Sequence, residues 1–337
     1  MRLFSLVLIL FSSGVVAQQK RIENIVFEGA GIRGIAYAGA VKTLEEKDLL
    51  RNVKRVGGTS AGAVTALLLT LNYSSSEIAT VINSTSFKSF NDGKFLIVGG
   101  FNRLRKWYGW YRGKRFENWL AELIAVKTGN AGITFSELHH KGYKDLYVTG
   151  TCLNKQQLVV FSFETYPHMK VKDAVRISMS IPLYFESVFV DSAGTIVTHP
   201  KNRTGLDVML DGGFVANFPI KIFDSSRYTT AAEPNHFEIN AGTIGLRIDS
   251  DNQINNDAGN RGLTSMPVNN LNQYLAAFYT LVLENLNRQT LTSEDWSRTI
   301  SISDGGIGPR IRKLNLLEVE KLTENGSAGT AGFLQKL

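Results

Sequence analysis

Short apolar runs alternate with longer amphipathic ones along most of the chain. From Ile22, IENIVFEG is a brief apolar run closed by glycine and reads as a strand. From Gly34, GIAYAGAVKTLEEKDLL returns apolar residues at helical spacing and predicts the helix that follows. VKRVGG, from Val53, reads as a second short strand, and SAGAVTALLLTLNY, from Ser60, as a helix apolar on nearly every side. Such a helix belongs in the middle of a large core. Strands alternating with helices predict an α/β domain with a mainly parallel sheet.

Residues 86–115 break this rhythm with glycines, aromatics and basic residues. A helix resumes in FENWLAELIAVK, where Phe116, Trp119, Leu120, Leu123 and Ile124 recur at helical spacing. KDLYVTGTCL, QLVVFSF, DVMLDGG and AGTIGLRI read as further strands, the third ending in a turn. VKDAVRISMS and LNQYLAAFYTLVLENLNRQ read as helices, the second amphipathic. Asp249 to Val268 is polar and rich in Asn and Gly, which predicts a loop. NGSAGTAG, inside a C-terminal segment spanning residues 311–337, predicts a loose tail. No internal repeat or domain boundary interrupts residues 22–310, which read as one domain.

Composition narrows the class. Of 337 residues, 43% are hydrophobic and 20% charged, ordinary for a globular protein with ample core. The first 17 residues have the layout of a signal peptide: Arg2, an apolar Leu3 to Phe11, and Val15-Val16-Ala17 before the cleavage point. Export is therefore expected, to a periplasm or to the outside. No later apolar run is long enough to span a bilayer. Cys152, the single cysteine, permits no intramolecular disulfide and reads as a buried strand thiol. The net charge of +7 favours anionic surfaces, phospholipid and nucleic acid alike. Asn72, Asn83, Asn202 and Asn325 sit in N-x-S/T sequons, which matter only on a eukaryotic secretory route.

Three motifs carry chemistry. Gly29-Ala30-Gly31-Ile32-Arg33-Gly34 has the G-x-G-x-x-G spacing of a dinucleotide fingerprint. That fingerprint requires an acidic residue at the end of the second strand, and there the chain has Gly57-Gly58-Thr59-Ser60 instead. Gly58-Thr59-Ser60-Ala61-Gly62 is a G-x-S-x-G at a strand–helix junction, where a sharp turn lifts a nucleophilic serine clear of the sheet. The glycine-rich turn then offers backbone N–H groups to an oxyanion rather than a pyrophosphate. The serine needs a base. Asp211, in Asp211-Gly212-Gly213, can take its proton directly; alternatively Asp211 and His236 complete a Ser…Asp…His order. His139, His140, His168, His199 and His236 all lack a telling setting, and no metal-ligand spacing is present.

Together these three motifs resemble the patatin-like phospholipase family, across roughly residues 22–310. AVRISMSIPLYF and DGGFVANFP, with Asn217 and Pro219, add local similarity. The resemblance implies a three-layer α/β/α sandwich with a Ser60–Asp211 dyad and no histidine. It also implies an oxyanion hole in the Gly29–Gly34 turn, chiefly the amides of Ala30 and Gly31. Ala30 stands where the family often has glycine, and it would be strained if that position needs φ > 0. Glu28, before the turn, is assigned no catalytic role.

The expected activity is phospholipase A-type cleavage of lipid acyl esters, with no cofactor or metal. A Ser-Asp-His esterase and a non-catalytic lipid-binding protein are the alternatives. Trp107, Tyr108, Trp110 and Tyr111 interleave with Lys and Arg, a pattern that suits a membrane interface or a packed structural excursion. The hydrolase motifs point to a phospholipid partner with peripheral membrane contact, not to nucleic acid.

Overall fold

The computed structural model describes residues 21–93, 98–230, 235–309 and 312–336. The expected signal peptide lies outside the described residues.

Ten strands form in chain order: β1 Asn24–Phe27, β2 Arg55–Gly58, β3 Gly109–Tyr111, β4 Asp145–Cys152, β5 Gln157–Phe161, β6 Leu183–Phe185, β7 Val188–Val190, β8 Asp207–Asp211, β9 Thr243–Asp249 and β10 Thr299–Ser303. Eight build one sheet in the order β10-β9-β1-β2-β4-β8-β7, with β5 also on β4; β3 and β6 pair separately. The β10-β9-β1-β2-β4 stretch is parallel, whereas β5, β7 and β8 join antiparallel. The sheet is thus mixed and mostly parallel, flanked by helices, in agreement with the expected α/β class.

Period-two alternation sorts the strand residues between the two faces. Ile25 and Phe27 of β1, with Leu146 and Val148 of β4, join the main core. Val26 and Tyr147, between them, turn to a small cluster around Phe223 on the other face. The main core is covered by long helices, among them Ala36–Glu46, Ala61–Thr70 and Val171–Ser178. As its all-round apolar pattern demands, nearly all of Ala61–Thr70 is buried.

Several elements depart from the expectations. Asp249 to Val268 is not all loop: Asp251–Ala258 is a helix, started by the Ser250 side chain accepting from the Gln253 amide. β10 and the helices Ser75–Ser84 and Val98–Trp107 were not foreseen. The loose C-terminal tail is also corrected. Leu316–Leu334 is a 19-residue helix lying across Ala36–Glu46. A Cβ on Gly39 would run into the Thr323 carbonyl, and one on Gly326 into that of Ala36. The small residues of NGSAGTAG permit this close crossing, where Ser327 Oγ donates to Gly39 O at 3.0 Å.

Candidate active site

The parallel ladder of β1 on β2 sets Phe27 opposite Gly58. The glycine-rich turn and the G-T-S-A-G turn therefore leave the sheet side by side. β2 in turn sets Gly58 opposite Val148 of β4, and two residues further on Gly150 faces Asp211 of β8. Register alone brings Ser60 and Asp211, 151 positions apart in sequence, to the same level of the sheet.

Ser60 has φ 53° and ψ −123°, a left-handed backbone uncommon for a side chain other than glycine. Such strain at a strand–helix turn marks a nucleophile elbow. The turn is held by its neighbours. The Ser60 amide donates to Ser178 Oγ at 2.8 Å, and Thr59 Oγ1 donates to Ala216 O at 2.9 Å. The elbow also needs its glycines, because a Cβ on Gly62 would meet the carbonyls of Phe27 and Glu28.

Asp211 is buried and accepts from the Gly213 amide at 2.8 Å. Burial pushes its carboxyl up to about 7, against the downward pull of that amide and of the neighbouring Ser60 hydroxyl. Gly212 has no room for a side chain, since a Cβ there would strike Thr149. The Ser60 hydroxyl contacts Met179 Sδ at 3.4 Å and borders an apolar cavity of about 70 Å³. Leu68, Phe90, Phe116 and Trp119 line its walls.

In the glycine-rich turn, most amides already have acceptors. Gly29 donates to Asn217 O at 3.0 Å, Ile32 to Pro309 O and Arg33 to Ala30 O, both at 3.2 Å. Among the described residues, the amides of Ala30 and Gly31 have no acceptor within the protein. Ala30 has φ −130°, so its methyl is unstrained. The position that requires glycine is Gly31, with φ 56° and the Pro309 carbonyl where a Cβ would lie.

Among the described residues, no histidine is hydrogen-bonded to Ser60. His236 is exposed and its main chain is docked on Ser226; His139 pairs with Asp145 and His199 with Glu186. Among the described residues, no cluster of His, Cys, Asp or Glu could hold a metal ion.

A family model described as patatin-like phospholipase matches residues 25–224, a stretch carrying all three motifs. The chain belongs to the patatin-like phospholipase family. Its relatives include YqhO of Bacillus subtilis, 34% identical over 215 residues, covering 60% of this chain and 67% of the relative. R571 of Acanthamoeba polyphaga mimivirus is 26% identical over 310 residues, covering 91% and 92%. The probable lipid hydrolase 463L of Invertebrate iridescent virus 6 is 24% identical over 204 residues, covering 60% and 63%. Among solved structures, VipD from Legionella pneumophila superposes with a TM-score of 0.55 at 15% identity, covering 94% of this chain and 67% of that one. That likeness concerns the fold.

In this member of the family the turn rests on buried charges that sequence reading missed. Glu28 accepts from the Ile248 amide at 3.1 Å and pairs with Arg247 at 3.0 Å. Arg247 also binds Asp249 at 2.8 Å, and Arg288 binds Asp249 from the other side. Burial raises Asp249, but Arg247 and Arg288 outweigh it and hold that carboxyl below its usual range. Arg33 donates from Nε to Ala30 O at 3.2 Å and pairs with Glu284 at 2.5 Å. Glu28, Arg33, Arg247 and Glu284 span more than 250 positions, and no local spacing could have joined them. Asn217, by contrast, was visible in the motif: its Nδ2 donates to Gly29 O at 2.9 Å, closing the turn onto the D-G-G loop.

The aromatic belt at residues 107–111 does not form as an exposed surface. Trp107 stacks on His199 at 4.4 Å, Tyr111 packs on Tyr184 at 5.0 Å, and Trp110 lies over Gly100. Tyr108 alone of the four is exposed, and Arg203 sits over its ring. Trp110 and Tyr111 are held by β3, which pairs with β6.

Proposed function

We propose that the protein cleaves fatty-acyl esters of phospholipids, with Ser60 as nucleophile and Asp211 as general base. The observation that carries this reading is a buried Asp211 carboxyl set beside a serine of positive φ that borders an apolar cavity. Ser60 Oγ attacks the ester carbonyl while its proton passes to Asp211. The negative charge that develops on the carbonyl oxygen faces the Ala30 and Gly31 amides. Collapse expels the alcohol, which takes the proton back from Asp211, and the acyl chain occupies the apolar cavity. Water, deprotonated by Asp211, then attacks the acyl-enzyme; fatty acid leaves and the serine regains its proton.

The test is fatty-acid release from phosphatidylcholine/phosphatidylglycerol vesicles with chelator present. Ser60→Ala and Asp211→Asn should each lower turnover by at least about a hundredfold. Full activity in Ser60→Ala would refute the mechanism. His236→Ala should leave activity within about twofold; a large loss would reinstate the triad. Export is part of the same proposal: the protein recovered outside the cytoplasm should begin at Gln18, as read by N-terminal sequencing.

A further inference from the structure

The helix Leu271–Tyr279 runs into the π-helical turn Thr280–Asn285, which packs beside the candidate active site on Gly213 and Arg33. Their inner side is engaged. Leu283 packs over Gly213, with its Cδ2 3.3 Å from where a Cβ on that glycine would sit, Glu284 grips Arg33, and Asn287 Nδ2 donates to Gly213 O at 3.4 Å. The Tyr279 hydroxyl is buried and has no hydrogen-bond partner among the described residues.

Their outer side is apolar and open. Leu271, Tyr274, Leu275, Phe278, Leu281 and Leu286 are between 49% and 72% exposed, the first five at helical spacing. Leu263, Met266 and Val268, in the segment just before the helix, are exposed as well. Between Arg261 and Arg288 the chain has one ionisable side chain of strong charge, Glu284, and it is turned inward against Arg33. A contiguous exposed apolar face of this kind marks an interaction site.

We propose that this face enters a lipid surface and seats the active site on it. The argument rests on the lipid-hydrolase reading above, and two features of the molecule select a bilayer as the occupant. The face is free of exposed acidic groups on a protein of net charge +7, so an anionic membrane attracts it and nothing on the face repels. Its reverse side packs on Gly213, two residues from Asp211, and on Arg33 of the glycine-rich turn, so docking brings lipid esters close to the nucleophile. Tyr274, set among the leucines, has the amphipathic ring that suits the headgroup level.

The experiment uses Ser60→Ala as the background for binding, so that attachment is read apart from turnover. Cosedimentation with vesicles of phosphatidylcholine and phosphatidylglycerol should show binding, weakened at least about tenfold by Leu275→Glu/Phe278→Glu. In the otherwise wild-type enzyme, the same pair should lower vesicle hydrolysis about tenfold yet leave hydrolysis of a soluble short-chain ester within about twofold. Unchanged vesicle binding by the variant overturns the proposal. So does an equal loss on both substrates, which makes the face part of the site's scaffold. A dimer by light scattering that the substitutions dissolve, without vesicle binding, overturns it in favour of a second copy. If Ser60→Ala binds vesicles through this face but wild type releases no fatty acid, the surface stands and the hydrolase reading falls.

Discussion

Gly31 and Ala30 show how finely the turn discriminates between neighbours. Gly31 holds a positive φ against the Pro309 carbonyl; Ala30 does not. Gly31→Ala should therefore shift the backbone that presents both free amides and reduce kcat/KM at least about a hundredfold, the scale of one lost oxyanion donor. Ala30→Gly should stay within about threefold, for the native φ is open to either residue. Steady-state kinetics on a soluble ester checks both.

Asp211 carries a dependence on pH. If it acts as the proposed base it must be ionised, so kcat/KM should rise with pH on a limb of apparent pKa about 7. The consequence for stability has the opposite sense. The folded carboxyl titrates near 7 and the unfolded one near 3.8. Within that window the folded state binds more protons than the unfolded, and stability falls as pH rises. Asp211→Asn removes this penalty. The variant should melt above wild type at pH about 8.5, and the difference should close by pH about 4; calorimetry at the two pH values decides it.

At the scale of elements, the C-terminal helix is the instructive case. Its glycine and serine content reads as disorder in one dimension, because small residues in a row offer no apolar stripe. In three dimensions those residues let two helix backbones meet, with Gly39 and Gly326 facing carbonyls across the crossing. Gly326→Val should force the helices apart and destabilise the fold by about 3 kcal/mol, measured by urea unfolding. Residues 86–115 teach a related lesson: their aromatics looked interfacial in sequence, yet Asp92 accepts from the Gly113, Lys114 and Arg115 amides at 2.7, 2.8 and 3.0 Å, fastening the excursion to the domain.

At the scale of the whole molecule, the charges behind the glycine-rich turn bind β1, β9 and the 271–287 arm into one unit. Arg247 is fully buried and shared between Glu28 and Asp249. Arg247→Met leaves both carboxylates short of a partner and should cost about 3–5 kcal/mol, the range for breaking a buried ion pair. Urea unfolding measures the loss. Glu28→Gln should cost less, because burial already pushes that carboxyl up to about 7 despite Arg247.

The sequence by itself determined the strand–helix rhythm, the elbow and the aspartate, since each depends on residues close together in the chain. Small residues at Gly58 and Gly62, a side chain that must turn sharply, and a glycine-rich run after a strand are local requirements with local signatures. Family resemblance then named the dyad. Only the tertiary structure decided which glycine of the turn is indispensable, because the obstructing Pro309 carbonyl comes from nearly 280 positions away. It alone decided that Arg247, Glu284 and Arg33 brace the turn, that the loose tail is a packed helix, and that the apolar face lies at 271–286 rather than 107–111. Contacts between distant segments leave no spacing to read; they exist once the sheet has set its register.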